Sequence, residues 1–329
     1  MLRNRKDLLT TKILNSIPKN IKPIEYLIKI LGISKESAYR RLRGDIPFTF
    51  EEMSKLSLDL NFSMDEFIAK PDESRILINM QTDTDEDLSI VFLKRFEQHY
   101  NVLLHLENYP DVETVLTFNR VPTIASVYSK NLFKFFYFKW LHQNQEAALK
   151  LCYSDVAISD EMEEMRKKVK FSASNCSNKI TVILDSNFFI SLINEIRYYR
   201  KRRLVNDEAF ESLKNEMLDF VNSMESSAQT GIFGPTAKIN IYLSSMNIEV
   251  NTVYVKYDSS ETSYIYGFSI NPLSISNVMV CEKHKRWINS VKKYSTLITK
   301  SNEMLQSEYF DKQREFIMSL NDKNFSSLY

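Results

Sequence analysis

Only five of the 329 residues are glycine, and two of the five, Gly32 and Gly44, stand close together near the start of the chain. Glycine enters the left-handed backbone region without steric cost, so its positions mark where a chain can turn tightly. None of the five stands at the spacing of a P-loop or a dinucleotide fingerprint, so neither phosphate-cradling loop is present. The run Gly231-Ile232-Phe233-Gly234-Pro235 lacks the strand-to-helix setting those motifs need and reads as a loop. What Gly32 and Gly44 do allow is a sharp exit from each of two helices. Pro23 suits a first helical turn, and Tyr26, Leu27, Ile30 and Leu31 repeat at helical spacing up to Gly32. Ser34 is a good N-cap for a helix running through Arg43, with Gly44 just past its end, where a left-handed residue is wanted.

The flanks read as further helices. Leu9, Ile13 and Ile17 recur every four positions and predict an amphipathic helix over 5–17 that stops before Pro18. Thr49 with Glu52 forms a capping box ahead of Met53, Leu56 and Leu60, and Ser63 with Glu66 forms another ahead of Phe67 and Ile68. Residues 1–70 are therefore expected to form an all-α helix-turn-helix bundle. From Pro71 to Asp87 the chain turns polar and acidic, including Thr82-Asp83-Thr84-Asp85-Glu86-Asp87, and 71–87 is expected to be a linker. Residues 88–150 read as helical and rich in aromatics, with Phe133, Phe136 and Trp140 on one face suited to a core. Glu161 to Lys168 reads as a helix surface, with acids preceding bases. A buried strand at 180–184 precedes a helix through Phe189, Ile193 and Ile196. Alternation then predicts strands at 238–243, 248–257 and 262–270, the last two joined as a hairpin through Asp258-Ser259-Ser260. Helices at 277–299 and 302–320 close the chain. Trp287, Val291, Tyr294, Leu297, Leu305, Phe310 and Phe316 give these helices apolar faces for a core or a dimer interface. The expected fold is mainly α with a smaller β part: an all-α head followed by an α+β dimerisation or effector body over 88–329.

Charge divides along the chain. Residues 1–45 carry 11 Lys and Arg against 4 Asp and Glu, whereas 46–329 carry 32 against 38, so a basic head precedes a mildly acidic body. That polarity fits a phosphate-binding module, and a solvated basic surface would show it too. A second basic run, Arg197-Tyr198-Tyr199-Arg200-Lys201-Arg202-Arg203, could stack bases on its tyrosines, but reads better as the wet end of a helix. No stretch of 18 residues is apolar without charge, since the run Phe133 to Trp140 is broken by Lys134 and Lys139, so no membrane partner is expected. The opening residues Met1 to Lys6 lead into no signal-peptide pattern, and a cytoplasmic location is expected. Cys152, Cys176 and Cys281 are odd in number and far apart, as reduced thiols would be. His99, His105, His142 and His284 lack metal-ligand spacing, and no nucleophile motif is present. No metal, cofactor or catalytic residue is expected, and the chain reads as a non-enzyme.

The segment Ile24 to Asp45, Ile-Glu-Tyr-Leu-Ile-Lys-Ile-Leu-Gly-Ile-Ser-Lys-Glu-Ser-Ala-Tyr-Arg-Arg-Leu-Arg-Gly-Asp, resembles the Xre or lambda-repressor-like helix-turn-helix family. Phe50 to Asn61 followed by Phe62-Ser63-Met64-Asp65-Glu66-Phe67 is similar to that family's fourth helix and its ending. The resemblance implies a partner, double-stranded DNA, with Lys35, Glu36, Tyr39 and Arg40 facing base edges, and Lys22, Ser34, Arg41 and Arg43 holding phosphates. It also implies a homodimer, because one small module contacts few bases. The chain departs from the family at Ile28, where Ala is usual, and at Ala38, where a branched residue is usual, a large-for-small exchange that would conserve core volume. Trp287, Ser290, Lys292, Ser295 to Ile298, Phe310 and Gln313 resemble, more loosely, the C-terminal halves of uncharacterised bacterial regulators, which implies no activity. Two other readings stay open: a helix-turn-helix adaptor that docks a protein, and a ligand-binding or enzymatic body with a regulatory DNA-binding head.

Overall fold

Leu9, Ile13 and Ile17 lie one helical turn apart and all three are buried, so helix α1 (9–14) presents one apolar stripe to its neighbours. The computed structural model describes residues 9–14, 16–17, 21–60, 64, 87–144, 149–176, 178–258, 260–268 and 271–321. The start of the helix expected over 5–17 lies outside them, as do the helix expected around Phe67 and Ile68 and residues 71–86 of the expected linker. The chain divides into two units, Met1–Asn79 and Met80–Tyr329.

In the first unit α1 is followed by α2 (Pro23–Leu31), α3 (Lys35–Leu42) and α4 (Phe50–Asp59). Leu9, Ile13, Ile17, Tyr26, Leu27, Ala38 and Leu56 form its core, with Ile28, Leu42, Met53 and Leu60 packed against it. Ile28 and Ala38, the two departures from the family pattern, thus serve the same core. Tyr26 donates its phenol proton to Asp59 and so ties α2 to α4. Burial, then that carboxylate, raises the Tyr26 pKa.

The second unit is built on an eight-stranded sheet. In chain order it contains α5 (Leu88–Leu106), β1 (Val112–Phe118), α6 (Lys130–Asn144), α7 (Asp160–Ala173), β2 (Lys179–Leu184), α8 (Ile190–Lys201) and α9 (Asp207–Thr230). Then come β3 (Ile232–Phe233), β4 (Ala237–Ser244), β5 (Thr252–Tyr257), β6 (Ser260–Phe268), β7 (Asn271–Ile275), α10 (Val278–Lys293), β8 (Ser295–Leu297) and α11 (Glu303–Met318). The spatial order is β3-β4-β2-β1-β5-β6-β7, with β8 also on β4. Strands β1, β2 and β4 run parallel, joined by helical crossovers, while β5, β6 and β7 add antiparallel strands beyond β1. Side chains alternate across each strand. Ile180, Val182 and Leu184 enter the main core, where α5 packs along α7 and α9 along α11. Val115, Ile183 and Tyr254 face the other way, under Cys281, Trp287, Ile288 and Val291 of α10. The fold is mainly helical with a smaller β part, as the sequence predicts.

Aromatic packing dominates the main core. Phe92, Phe96, Phe133, Tyr137 and Trp140 bring α5 and α6 together, the Phe92 ring lying 5.0 Å from Phe96 and 4.8 Å from Tyr137. Each such side chain contributes about 1.5–3 kcal/mol by leaving water.

The stretch 88–150 is not helical throughout, because Val112–Phe118 is a central strand whose neighbours β2 and β5 satisfy its backbone on both sides. The longest helix among the described residues, α9, is absent from the sequence reading, although Asn206 caps its start and the left-handed Gly231 ends it. Gly231 to Pro235 is not a plain loop, since Ile232 and Phe233 pair with the start of β4. The helix expected over 277–299 ends at Lys293, because Ser295–Leu297 pairs with β4 as β8. The strand expected from 248 begins at Thr252, for the Ile248 amide is taken by the Asp185 carboxylate rather than by a neighbouring strand.

Candidate nucleic-acid interface

The turn between α2 and α3 is set by two local devices. Gly32 adopts φ 67° and donates its N–H to the Ile28 carbonyl, ending α2. Ser34 then stands in extended conformation, and its Oγ accepts from the Ser37 amide at 3.2 Å, opening α3. At the other end Gly44, at φ 78°, leads the chain out, while the Arg40 carbonyl accepts from Asp45 and Ile46.

The α3 side chains sort by helical period. Ala38 is fully buried and Leu42 packs on the same core, which turns positions 35, 36, 39, 40 and 43 outward. Lys35, Glu36, Tyr39, Arg40 and Arg43 are all exposed, Tyr39 at 44 %. This face carries three cations and one carboxylate around one aromatic ring. Arg43 pairs with Asp45 at 3.2 Å and Lys22 with Glu25 at 3.6 Å, both in solvent, where such pairs are worth little and exchange readily. Ser34 is exposed; its oxygen already accepts from the Ser37 amide, which leaves its hydroxyl proton to donate.

Arg41 differs from the other expected contacts. Its side chain is only 11 % exposed and forks onto Glu52 of α4, Nε to Oε2 at 2.8 Å and Nη2 to Oε1 at 2.7 Å. Nη1 donates to Ser37 Oγ at 2.6 Å. The expectation that Arg41 holds a phosphate is therefore corrected, because its donors point inward. Glu52 also accepts from the Thr49 amide at 2.9 Å and completes the capping box predicted for α4. Burial opposes ionisation of Glu52, but the hydrogen bonds from Arg41 and Thr49 and the Arg41 and Lys55 charges outweigh it and hold the carboxyl below its ordinary range. Glu52 was legible in the sequence as a cap. No sequence signal joins it to Arg41.

Within the second unit the basic run is the C-terminal end of α8, tied to its own unit. Arg197 donates to Ser319, Arg200 pairs with Asp207 at 2.9 Å and lies over the Phe210 ring, and Arg202 donates to the Leu149 carbonyl. Among the described residues no group of three His, Cys, Asp or Glu side chains gathers to hold a metal ion, and no helix is long and apolar enough to cross a membrane.

Residues 5–87 match the family model of the BetR domain. This domain is of helix-turn-helix type, and DNA binding is what it implies for this part of the chain. The match covers less than half of the chain. No curated protein and no solved structure matches the chain.

Proposed function

We propose that this protein is a sequence-specific transcriptional regulator that lays α3 in the major groove of double-stranded DNA. One observation carries the reading: Lys35, Tyr39, Arg40 and Arg43 stand out from a helix whose Ala38 and Leu42 are sunk in the core. Arg40 can donate two hydrogen bonds to guanine, and Glu36, one turn earlier, can accept from the cytosine amino group. Lys35 and Tyr39 complete the base-reading group, while Lys22, Ser34 and Arg43 hold phosphates and set the register. The resemblance to Xre and lambda-repressor-like proteins supports the same assignment. A homodimer follows from the small footprint of one helix-turn-helix, since paired half-sites supply the missing affinity. Residues 88–329 then serve as the dimerisation or effector body, without catalysis, of a cytoplasmic regulator.

The test is selection of bound sequences from random DNA, with wild type and an Arg40→Ala, Arg43→Ala double variant. Wild type should enrich a two-fold symmetric site, and the double variant should lose that enrichment. Singly, Arg40→Ala should relax preference at one base pair, worth about 1–3 kcal/mol, whereas Arg43→Ala should weaken all sequences alike and lower the salt slope by about one. A wild type that enriches nothing, or a double variant that enriches the same site equally well, would refute the proposal.

A further inference from the structure

The geometry points to Arg41 as a positioning residue that sets which face of α3 meets the DNA, an inference that rests on the DNA-binding reading above. Apolar packing of an eight-residue helix through one buried alanine and one half-buried leucine sets its roll about its own axis only coarsely. Rolling it by one residue would turn it through about 100° and exchange the outward set for its neighbours. Arg41 supplies the missing constraint. Its planar fork meets both oxygens of Glu52, a match that is directional where a lysine ammonium would not be. Its third nitrogen reaches back one turn to Ser37 Oγ, so the guanidinium is held against its own helix as well as against α4. Glu52 is itself immobilised, because one of its oxygens also accepts from the Thr49 amide and so stays at the first turn of α4. The chain Ser37–Arg41–Glu52–Thr49 thus couples the roll of α3 to the N-terminus of α4. Arg40 and Arg43, on either side of this clamp in sequence, are left facing out.

The full-length protein carrying Arg41→Lys, and separately Glu52→Gln, tests the clamp. Lysine keeps the charge and loses the fork; glutamine keeps the cap of α4 and loses the charge. Binding of the selected site and of a scrambled duplex is measured over a range of salt concentrations, with thermal melts defining a temperature at which each variant is folded. Both variants should lower the ratio of specific to scrambled affinity by about tenfold, the scale of one lost base contact, with the salt slope unchanged. Repeating the random selection should show the loss spread over the positions read by α3. If Arg41→Lys keeps the wild-type ratio, the fork is not needed and the inference falls; if a third variant, Arg41→Gln, weakens both duplexes equally and lowers the salt slope by about one, Arg41 is a phosphate contact and the inference falls as well. Glu52→Gln that tightens both duplexes by releasing Arg41 toward the backbone would overturn it as well. A wild type with no preferred sequence at all would instead remove the DNA-binding reading on which it rests.

Discussion

Among single residues, His284 shows most plainly how a polar side chain is kept inside this protein. It is 9 % exposed and uses both ring nitrogens, Nδ1 with Ser263 Oγ and Nε2 with Thr252 Oγ1, each at 2.8 Å. Trp287 stacks on one face of the ring. Thr252 continues the chain to Thr117, so α10 is held to β1, β5 and β6 through one imidazole. Desolvation lowers the His284 pKa below the ordinary imidazole value. The neutral form is the folded form. Its contribution is therefore complete above about pH 6.5, the unfolded value, and is lost as the pH falls from there toward the depressed folded value. His284→Gln should cost about 1–3 kcal/mol at neutral pH by leaving hydroxyls unpaired. In melts the gap between wild type and variant should narrow from pH 7.5 to pH 5. A gap that stays constant would mean that His284 does not titrate on unfolding. The sequence shows this histidine only as an isolated residue without metal-ligand spacing, because its partners come from positions far away along the chain.

At the scale of elements, the caps of the first unit are the features most legible in the sequence. Ser34, Gly32, Gly44 and the Thr49–Glu52 box all act within about four residues of themselves, so the order of residues carries the whole interaction. The glycines also separate two kinds of constraint. Gly44 sits at φ 78° in open space, so Gly44→Ala should cost only the left-handed strain, about 1–2 kcal/mol. Gly234 sits at φ 59°, and a Cβ there would come within 2.6 Å of the Ser174 carbonyl oxygen. Gly234→Ala should therefore destabilise its unit by clearly more than Gly44→Ala destabilises its own, as read from denaturant melts. The reverse order would show that the Ser174 turn yields easily. Strands β1 and β8 lie at the other extreme. Leu297 continues the helical spacing of Trp287, Val291 and Tyr294, yet Ser295–Leu297 is drawn into pairing with Tyr242, Leu243 and Ser244. A free edge of β4 with unpaired backbone groups outweighs a last turn of helix.

For the molecule as a whole, the cores are separate. Leu9 to Leu56 form one, and the sheet with its two helical layers forms the others, each satisfying its own apolar surface. Calorimetry of the full chain should show two transitions. Ala38→Leu, which overfills a site with no exposed surface, should lower one of them by several degrees, from a cost of about 1–3 kcal/mol. His284→Gln should lower the other. Both variants shifting a single common transition would mean that the two units unfold as one. The excess of basic residues is confined to the start of the first unit: residues 1–45 carry 11 Lys and Arg against 4 Asp and Glu, whereas Met1–Asn79 as a whole carries 14 against 11.

The sequence by itself determined where helices of the first unit start and stop, which face of α3 is apolar, and that basic residues gather on this helix. These are short-range matters of caps, period and composition, settled within a turn or two of helix. Only the tertiary structure decided that Arg41 turns inward to Glu52 while Arg40 and Arg43 stay out, that Val112–Phe118 becomes a central strand, and that His284 finds two hydroxyls from different strands. Each of those outcomes depends on a partner brought close by packing of distant segments. A guanidinium, a β-prone heptapeptide or an imidazole carries no local mark of which partner that will be.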